Sequence, residues 1–151
     1  RLPAIIRAHD AAVTKVAFTA DGRHIVSASQ DGTLKMFDLK GTVVRTMRTD
    51  AAQPSALAVL DRTIVSGHED GTVQIWSSND GAKLKTLKRS AASIWSVAFA
   101  GGENRILVGS HDWAVALWDE KSLTTPAHLF EGHENAVQAV AYSSVIPGRR
   151  S

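Results

Sequence analysis

An all-β protein, assembled from a four-stranded antiparallel unit written three times, is what this chain predicts. The segments SASQDGTLKMFD (27–38), SGHEDGTVQIWS (66–77) and VGSHDWAVALWD (108–119) are near-copies of one another. Self-similarity at about 40 residues is the mark of a repeat architecture. Within each copy, short runs alternate apolar and polar residues, the period-2 pattern of strands. Turn signals stand between the runs, Asp21-Gly22, Asp31-Gly32 and Asp70-Gly71 among them, and tie consecutive strands into hairpins.

Taken in order, the first unit offers VTKVAF (13–18), HIVSAS (24–29), TLKMFD (33–38) and VVRTMR (43–48). The second offers SALAVL (55–60), TIVSGH (63–68), TVQIWS (72–77) and AKLKTL (82–87). The third offers SIWSVAF (93–99), RILVGS (105–110), AVALWD (114–119) and PAHLFE (126–131). No segment carries the 3.6-residue period of an amphipathic helix.

Composition narrows the function classes. The chain has 151 residues, 44% of them hydrophobic, with a net charge of +2 and no cysteine. The length suffices for a real core. Without cysteine there is neither a disulfide framework nor a thiolate metal site. No apolar run reaches the ~18 residues of a membrane helix. The start, RLPAIIRAHD, is too short and too soon polar for a signal peptide.

The features repeated most faithfully are the turn Asp (Asp31, Asp70, Asp112) and the aromatic residue six positions later (Phe37, Trp76, Trp118). An acidic residue follows the aromatic in Phe37-Asp38 and Trp118-Asp119, and a Gly-His pair opens a unit at Gly132-His133. By these motifs the units resemble WD40 repeats over essentially the whole chain. The resemblance implies a β-propeller, with four-stranded blades set radially around a channel. It divides the chain into the last strand of a preceding blade (1–8), blade one (9–48), blade two (49–88), blade three (89–131) and the start of a truncated fourth blade (132–151). About three complete blades are too few for a ring of four to eight. The expectation is therefore a propeller fragment, completed by missing blades of the same propeller or by self-association.

The resemblance also implies an internal brace in each blade, because a thin sheet cannot bury both faces alone and a buried carboxylate needs partners. Its expected members are His9, Ser29, Asp31 and Phe37 in blade one, His68, Asp70 and Trp76 in blade two, Ser110, Asp112 and Trp118 in blade three, and His133 beyond. Asp50 and Ser90 stand where an opening His is expected, so blades two and three are expected to be incompletely braced. Ser29, His9 and Asp31 are also the ingredients of a hydrolase triad, but a repeated, buried set reads as structure rather than catalysis. The six histidines lack metal-ligand spacing, and no phosphate-binding glycine loop is present. No catalytic residue, metal or cofactor is expected.

For function, the resemblance points to the top face of the ring, where a protein or peptide partner would meet Gln30, Glu69 and His111, the residues before each turn Asp. Thr14, Ser55, Ser93, Trp95 and Gln138, beside the start of each first strand, complete that face. Trp95 is the anchor expected to dominate binding. The expected role is a non-enzymatic, intracellular scaffold. Two alternatives stand beside it. One is nucleic-acid or anionic-surface binding through the basic residues of the fourth strands, Arg45, Arg48, Lys83, Lys85, Lys88 and Arg89; lysines on an edge strand also discourage aggregation. The other is the regulatory propeller of a larger enzyme.

Overall fold

The structure, a computed structural model, describes residues 5–101, 105–119 and 128–131. Gln138, His133 and the fourth unit (132–151) lie outside the described residues. Twelve strands, and no helix among the described residues, form three four-stranded antiparallel sheets. The first holds β1 (Val13–Phe18), β2 (His24–Ser29), β3 (Thr33–Asp38) and β4 (Val43–Arg48). The second holds β5 (Pro54–Leu60), β6 (Thr63–His68), β7 (Thr72–Ser77) and β8 (Lys83–Lys88). The third holds β9 (Ile94–Phe99), β10 (Arg105–Ser110), β11 (Ala114–Asp119) and β12 (His128–Glu131). Each is a simple meander in sequence order. Residues 5–8, expected as the closing strand of a preceding blade, form no strand.

The sheets meet face to face. Val26, Ala28, Leu34, Met36 and Met47 of the first pack on Ile64 and Trp76 of the second. On its other side the second sheet sets Ala56, Val65, Val73 and Leu87 against Ile94, Val97, Ile106, Val108 and Trp118 of the third. Alternation along each strand makes this possible: odd and even positions supply opposite faces, so one sheet serves two junctions. β1 touches β5 and β5 touches β9, which places the first strands along the common axis and the fourth strands outside.

Each first strand carries a β-bulge at the same register. Thr14 is the extra residue between Val13 and Lys15, Ser55 between Pro54 and Ala56, and Trp95 between Ile94 and Ser96. A bulge re-aims the side chain that it inserts.

Candidate partner-binding face

The interior of each sheet comes first, because it fixes the turns that form the candidate face. In the first sheet the ring of His9 is a hub. Its Nδ1–H donates to Asp31 Oδ2 at 3.0 Å, and its Nε2 accepts the Ser27 hydroxyl at 2.6 Å. Phe37 stands edge-on to the ring. The serine expected in the brace, Ser29, is bound instead to the Asp31 backbone N–H. Ser27, two residues earlier on the same face of β2, holds the ring, which corrects the sequence reading. Burial pushes the Asp31 carboxyl up, but Thr33, the Asp10 N–H and His9 all bond it and hold it well below the usual carboxylate range.

Ser27, His9 and Asp31 thus share the connectivity of a hydrolase triad. Ser27 is only 4% exposed and the His9 side chain 1%, so a substrate carbonyl has no way to the hydroxyl. Catalysis needs an exposed nucleophile.

The second sheet closes its brace differently. Trp76 Nε1–H donates to Ser66 Oγ at 3.0 Å, the Ser66 hydroxyl meets His68 Nε2 at 2.9 Å, and His68 Nδ1–H donates to the Ala52 carbonyl at 2.8 Å. His68 lies on the strand itself, at the register of Ser29, and makes the serine bond of an opening His, whereas the Asp70 carboxylate accepts from the Thr72 and Ala52 N–H groups instead. The second sheet therefore joins Trp76, Ser66 and His68 in one file without an opening His, and the turn Asp, Asp70, stands outside that file. Burial lowers the His68 pKa, which keeps the ring neutral and its Nε2 free to accept. Asp50, at the place of the opening His, faces outward and binds Gln74 and Lys83.

The third sheet has Val108 at the register of Ser27 and Ser66, so Trp118 meets no hydroxyl there. Asp112 is gripped from the rim instead, by Arg89, Ser90 and Ser110. Burial raises its pKa, yet Ser110 and Arg89 outweigh burial and the carboxyl titrates low.

These braces present one end of the sheets uniformly. The Gln30, Glu69 and His111 amides bond the carbonyls of Ala12, Gln53 and Ser93 respectively, the same bond in every sheet. All three side chains are exposed. Ser93 is half-buried. The bulge residues divide into two kinds. Thr14 donates to the Pro54 carbonyl at 2.9 Å and Ser55 to that of Ile94, so both hydroxyls fasten one sheet to the next. Trp95, at the third bulge, is 42% exposed and stacks on His111 with ring centroids 5.6 Å apart. Trp113, exposed at the tip of the same turn, has a φ of 70°, where Gly32 and Gly71 stand in the other two sheets. Nothing local in the sequence announced the fastening role of Thr14 and Ser55, because their acceptors lie a whole repeat away.

Elsewhere, Lys83 pairs with Asp50 and Arg89 with Asp112, so part of the basic rim is neutralised within the fold. A cleft of about 700 Å³ opens at the opposite end between the first two sheets, beside Asp21, His24, Arg45 and Arg62. Asp21 there is already bound to Thr19 and to the Arg23 N–H. Among the described residues no three His, Asp or Glu side chains converge as a metal site, and no helix is long and apolar enough to cross a membrane.

A family model described as "WD domain, G-beta repeat" matches residues 1–38, 51–77 and 81–119. The ribosome biogenesis protein WDR12 homolog of Ixodes scapularis is 31% identical over 95% of this chain and 35% of its own length. Autophagy-related protein 16 of Arabidopsis thaliana is 32% identical over 67% of this chain and 20% of its own length. The chain therefore spans about a third or less of these relatives. Among solved structures, the RRP9 WD40 repeats superpose with a TM-score of 0.82 at 21% identity, over 89% of this chain and 43% of that one. The computationally designed Ika4 protein superposes with a TM-score of 0.80 at 30% identity, over 93% of this chain and 85% of that one.

Proposed function

Because the chain belongs to the WD40-repeat family, we propose that it is a propeller segment that binds a protein or peptide partner across the face carrying Gln30, Glu69, His111 and Trp95. The single observation behind this is the Trp95–His111 stack, two aromatic rings inclined by 27° to each other, with Trp95 exposed to solvent. A large ring already ordered by its neighbour loses little freedom on binding, which is the property of an interface anchor. Gln30 and Glu69, exposed at the equivalent turns, supply polar contacts around it.

The role is that of a scaffold within an intracellular assembly and not of an enzyme. Support comes from relatives whose names place them in assemblies, such as the anaphase-promoting complex subunit cdc20 of Dictyostelium discoideum, 26% identical over 94% of this chain. The buried state of Ser27 and His9 supports the non-catalytic part. Another relative, the E3 ubiquitin-protein ligase COP1 of Arabidopsis thaliana, is matched over only 18% of its length, so its activity is not carried over to this segment.

The test is Trp95→Ala, with capture of partners from solution compared against the unaltered chain. Loss of a hot-spot anchor costs about 2 kcal/mol, roughly a 30-fold weaker complex. Undiminished capture by a folded variant removes Trp95 from the site.

A further inference from the structure

At the end of the sheets opposite Trp95, a cleft of about 700 Å³ separates blades one and two, a size within the roughly 300–1,000 Å³ of ligand sites. Each blade supplies one wall. Blade one brings Thr19, Asp21 and His24 from around its first turn and Arg45 from β4. Blade two brings Asp61, from the two-residue turn between Leu60 and Thr63, and Asn79. Asp21 is satisfied within its own wall, by the Thr19 hydroxyl and the Arg23 N–H.

Two opposite charges in the cleft are not. Among the described residues the Arg45 guanidinium has no hydrogen bond or ion pair, and its Nε is buried without an acceptor. Its stem crosses the junction, with Cδ against the β7–β8 turn at Gly81. Asp80 of that turn lies near enough to feel its charge but is held by the Ala82 N–H. The Asp61 carboxylate, exposed on a residue with a φ of 48°, has no partner among the described residues either. Arg45 and Asp61 therefore face one cleft from opposite walls without pairing.

What would satisfy both follows from their chemistry. The Nε–Nη edge of a guanidinium offers two parallel N–H groups, which a carboxylate accepts side-on. A buried N–H of a charged group without an acceptor is unfavourable. A carboxylate entering the cleft would relieve this by drawing that edge round to itself. A cation at the other end of the same ligand would meet Asp61. A dianion would be repelled by Asp21 and Asp61, and a plain cation by Arg45 and Arg62. We propose that the cleft is a second binding site and that it takes a zwitterionic group, with Arg45 receiving the carboxylate and Asp61 the ammonium. A small ω-amino acid, or a peptide segment with one acidic and one basic side chain, carries that chemistry. The site shares no residue with the face around Trp95, so the two proposals stand or fall separately.

The experiment is an NMR titration of the 151-residue chain with ε-aminocaproate. Beside it run hexanoate, which lacks the ammonium, and ε-aminocaproamide, which lacks the carboxylate. On the unaltered chain the zwitterion should bind tightest and shift the amides of residues 19–24 and 61–62. Losing the carboxylate should weaken binding about ten-fold, the scale of a hydrogen-bonded charge. Losing the ammonium, which meets an exposed carboxylate, should weaken it about three-fold. In Arg45→Gln the zwitterion and its amide should bind alike; in Asp61→Asn the zwitterion and hexanoate should. Circular dichroism checks that both variants fold, and the comparison of three ligands on the unaltered chain needs no variant. The capped peptide acetyl-Glu-Gly-Gly-Lys-amide tells the sources apart. Tighter binding than that of ε-aminocaproate assigns the site to peptides, weaker binding to small amino acids. Four results overturn the inference: binding of neither ε-aminocaproate nor the peptide, equal binding of the three small ligands to the unaltered chain, shifts that fall outside the cleft, or an Arg45→Gln chain that still prefers the zwitterion to its amide ten-fold.

Discussion

In blade two the strand that leads into the turn before Thr72 is held from inside, by the buried file from Trp76 through Ser66 and His68 to the Ala52 carbonyl. In blade three the same turn is held from the rim, where Arg89 and Ser90 close on Asp112. Both blades have the same strands, the same bulge and the same aromatic ring in β7 or β11. The repeat thus fixes the place of a brace and leaves its chemistry open. A neutral buried file that holds the Trp and a charged rim clasp that holds the turn Asp are two different ways to fasten a blade. They should fail in different ways. The file suffers when any member is lost, because the rest stay buried and unpaired; the clasp is partly solvated and loses little.

The largest effect expected is at Ser66. Ser66→Ala leaves Trp76 Nε1 and His68 Nε2 facing each other with no hydroxyl between them. Leaving buried polar groups unsatisfied costs about 1–3 kcal/mol. Arg89→Ala, by contrast, removes a partly exposed ion pair, and such pairs contribute at most about 1 kcal/mol. Urea unfolding of both variants measures the difference. Salt should erode the Arg89 contribution and leave that of Ser66 untouched. Equal losses, or a salt-sensitive Ser66, would mean that the two braces are the same device after all.

Acid provides the next separation. Burial depresses the His68 pKa below its ordinary value of 6.5, so the unfolded chain binds that proton first as pH falls. Stability from the neutral ring is complete above about pH 6.5 and declines below it, by about 1.4 kcal/mol for each unit of depression. Asp112 is depressed from 3.8, so its contribution holds until the pH falls below about 4. Melting temperatures between pH 7.5 and 5 should therefore fall in the unaltered chain. The slope should flatten in His68→Gln and persist in Arg89→Ala. A slope that survives His68→Gln assigns the acid sensitivity elsewhere.

The strands were legible in the sequence almost to the residue. Period-2 alternation and Asp-Gly turns are local signals, and β2, β3, β6 and β7 fall where HIVSAS, TLKMFD, TIVSGH and TVQIWS predict them. The braces were less so, for a geometric reason. In HIVSAS both Ser27 and Ser29 point to the same side of β2, and nothing in the order of residues says which one reaches the ring of His9. In TIVSGH the same ambiguity hid that His68, standing on the strand, would be the ring that bonds Ser66. The bulge hydroxyls were harder still. Thr14 resembles any polar residue at a strand end, and its partner Pro54 belongs to the next unit. Spacing within a repeat is readable; contact between repeats depends on how the sheets twist past each other.

The last effect expected, a gain, comes from the tips of the same two turns. Gly71 has a φ of 85°, and a side chain there would run into the Ser90 carbonyl. Only glycine suits that position, on both counts. Blade three keeps the backbone shape, with a φ of 70°, but places Trp113 in it. Left-handed backbone costs a residue with a Cβ roughly 1–2 kcal/mol, and the exposed ring repays little of this through burial. Trp113→Gly should therefore raise stability, by about 1 kcal/mol once the greater freedom of glycine in the unfolded chain is counted. Urea unfolding reads this directly, beside Trp113→Ala, which removes the ring and keeps the strain. If both variants lose stability, the ring is supported by contacts that its exposure does not suggest. If only glycine gains, the strain is real, and blade three carries an aromatic at its tip against the preference of its own backbone.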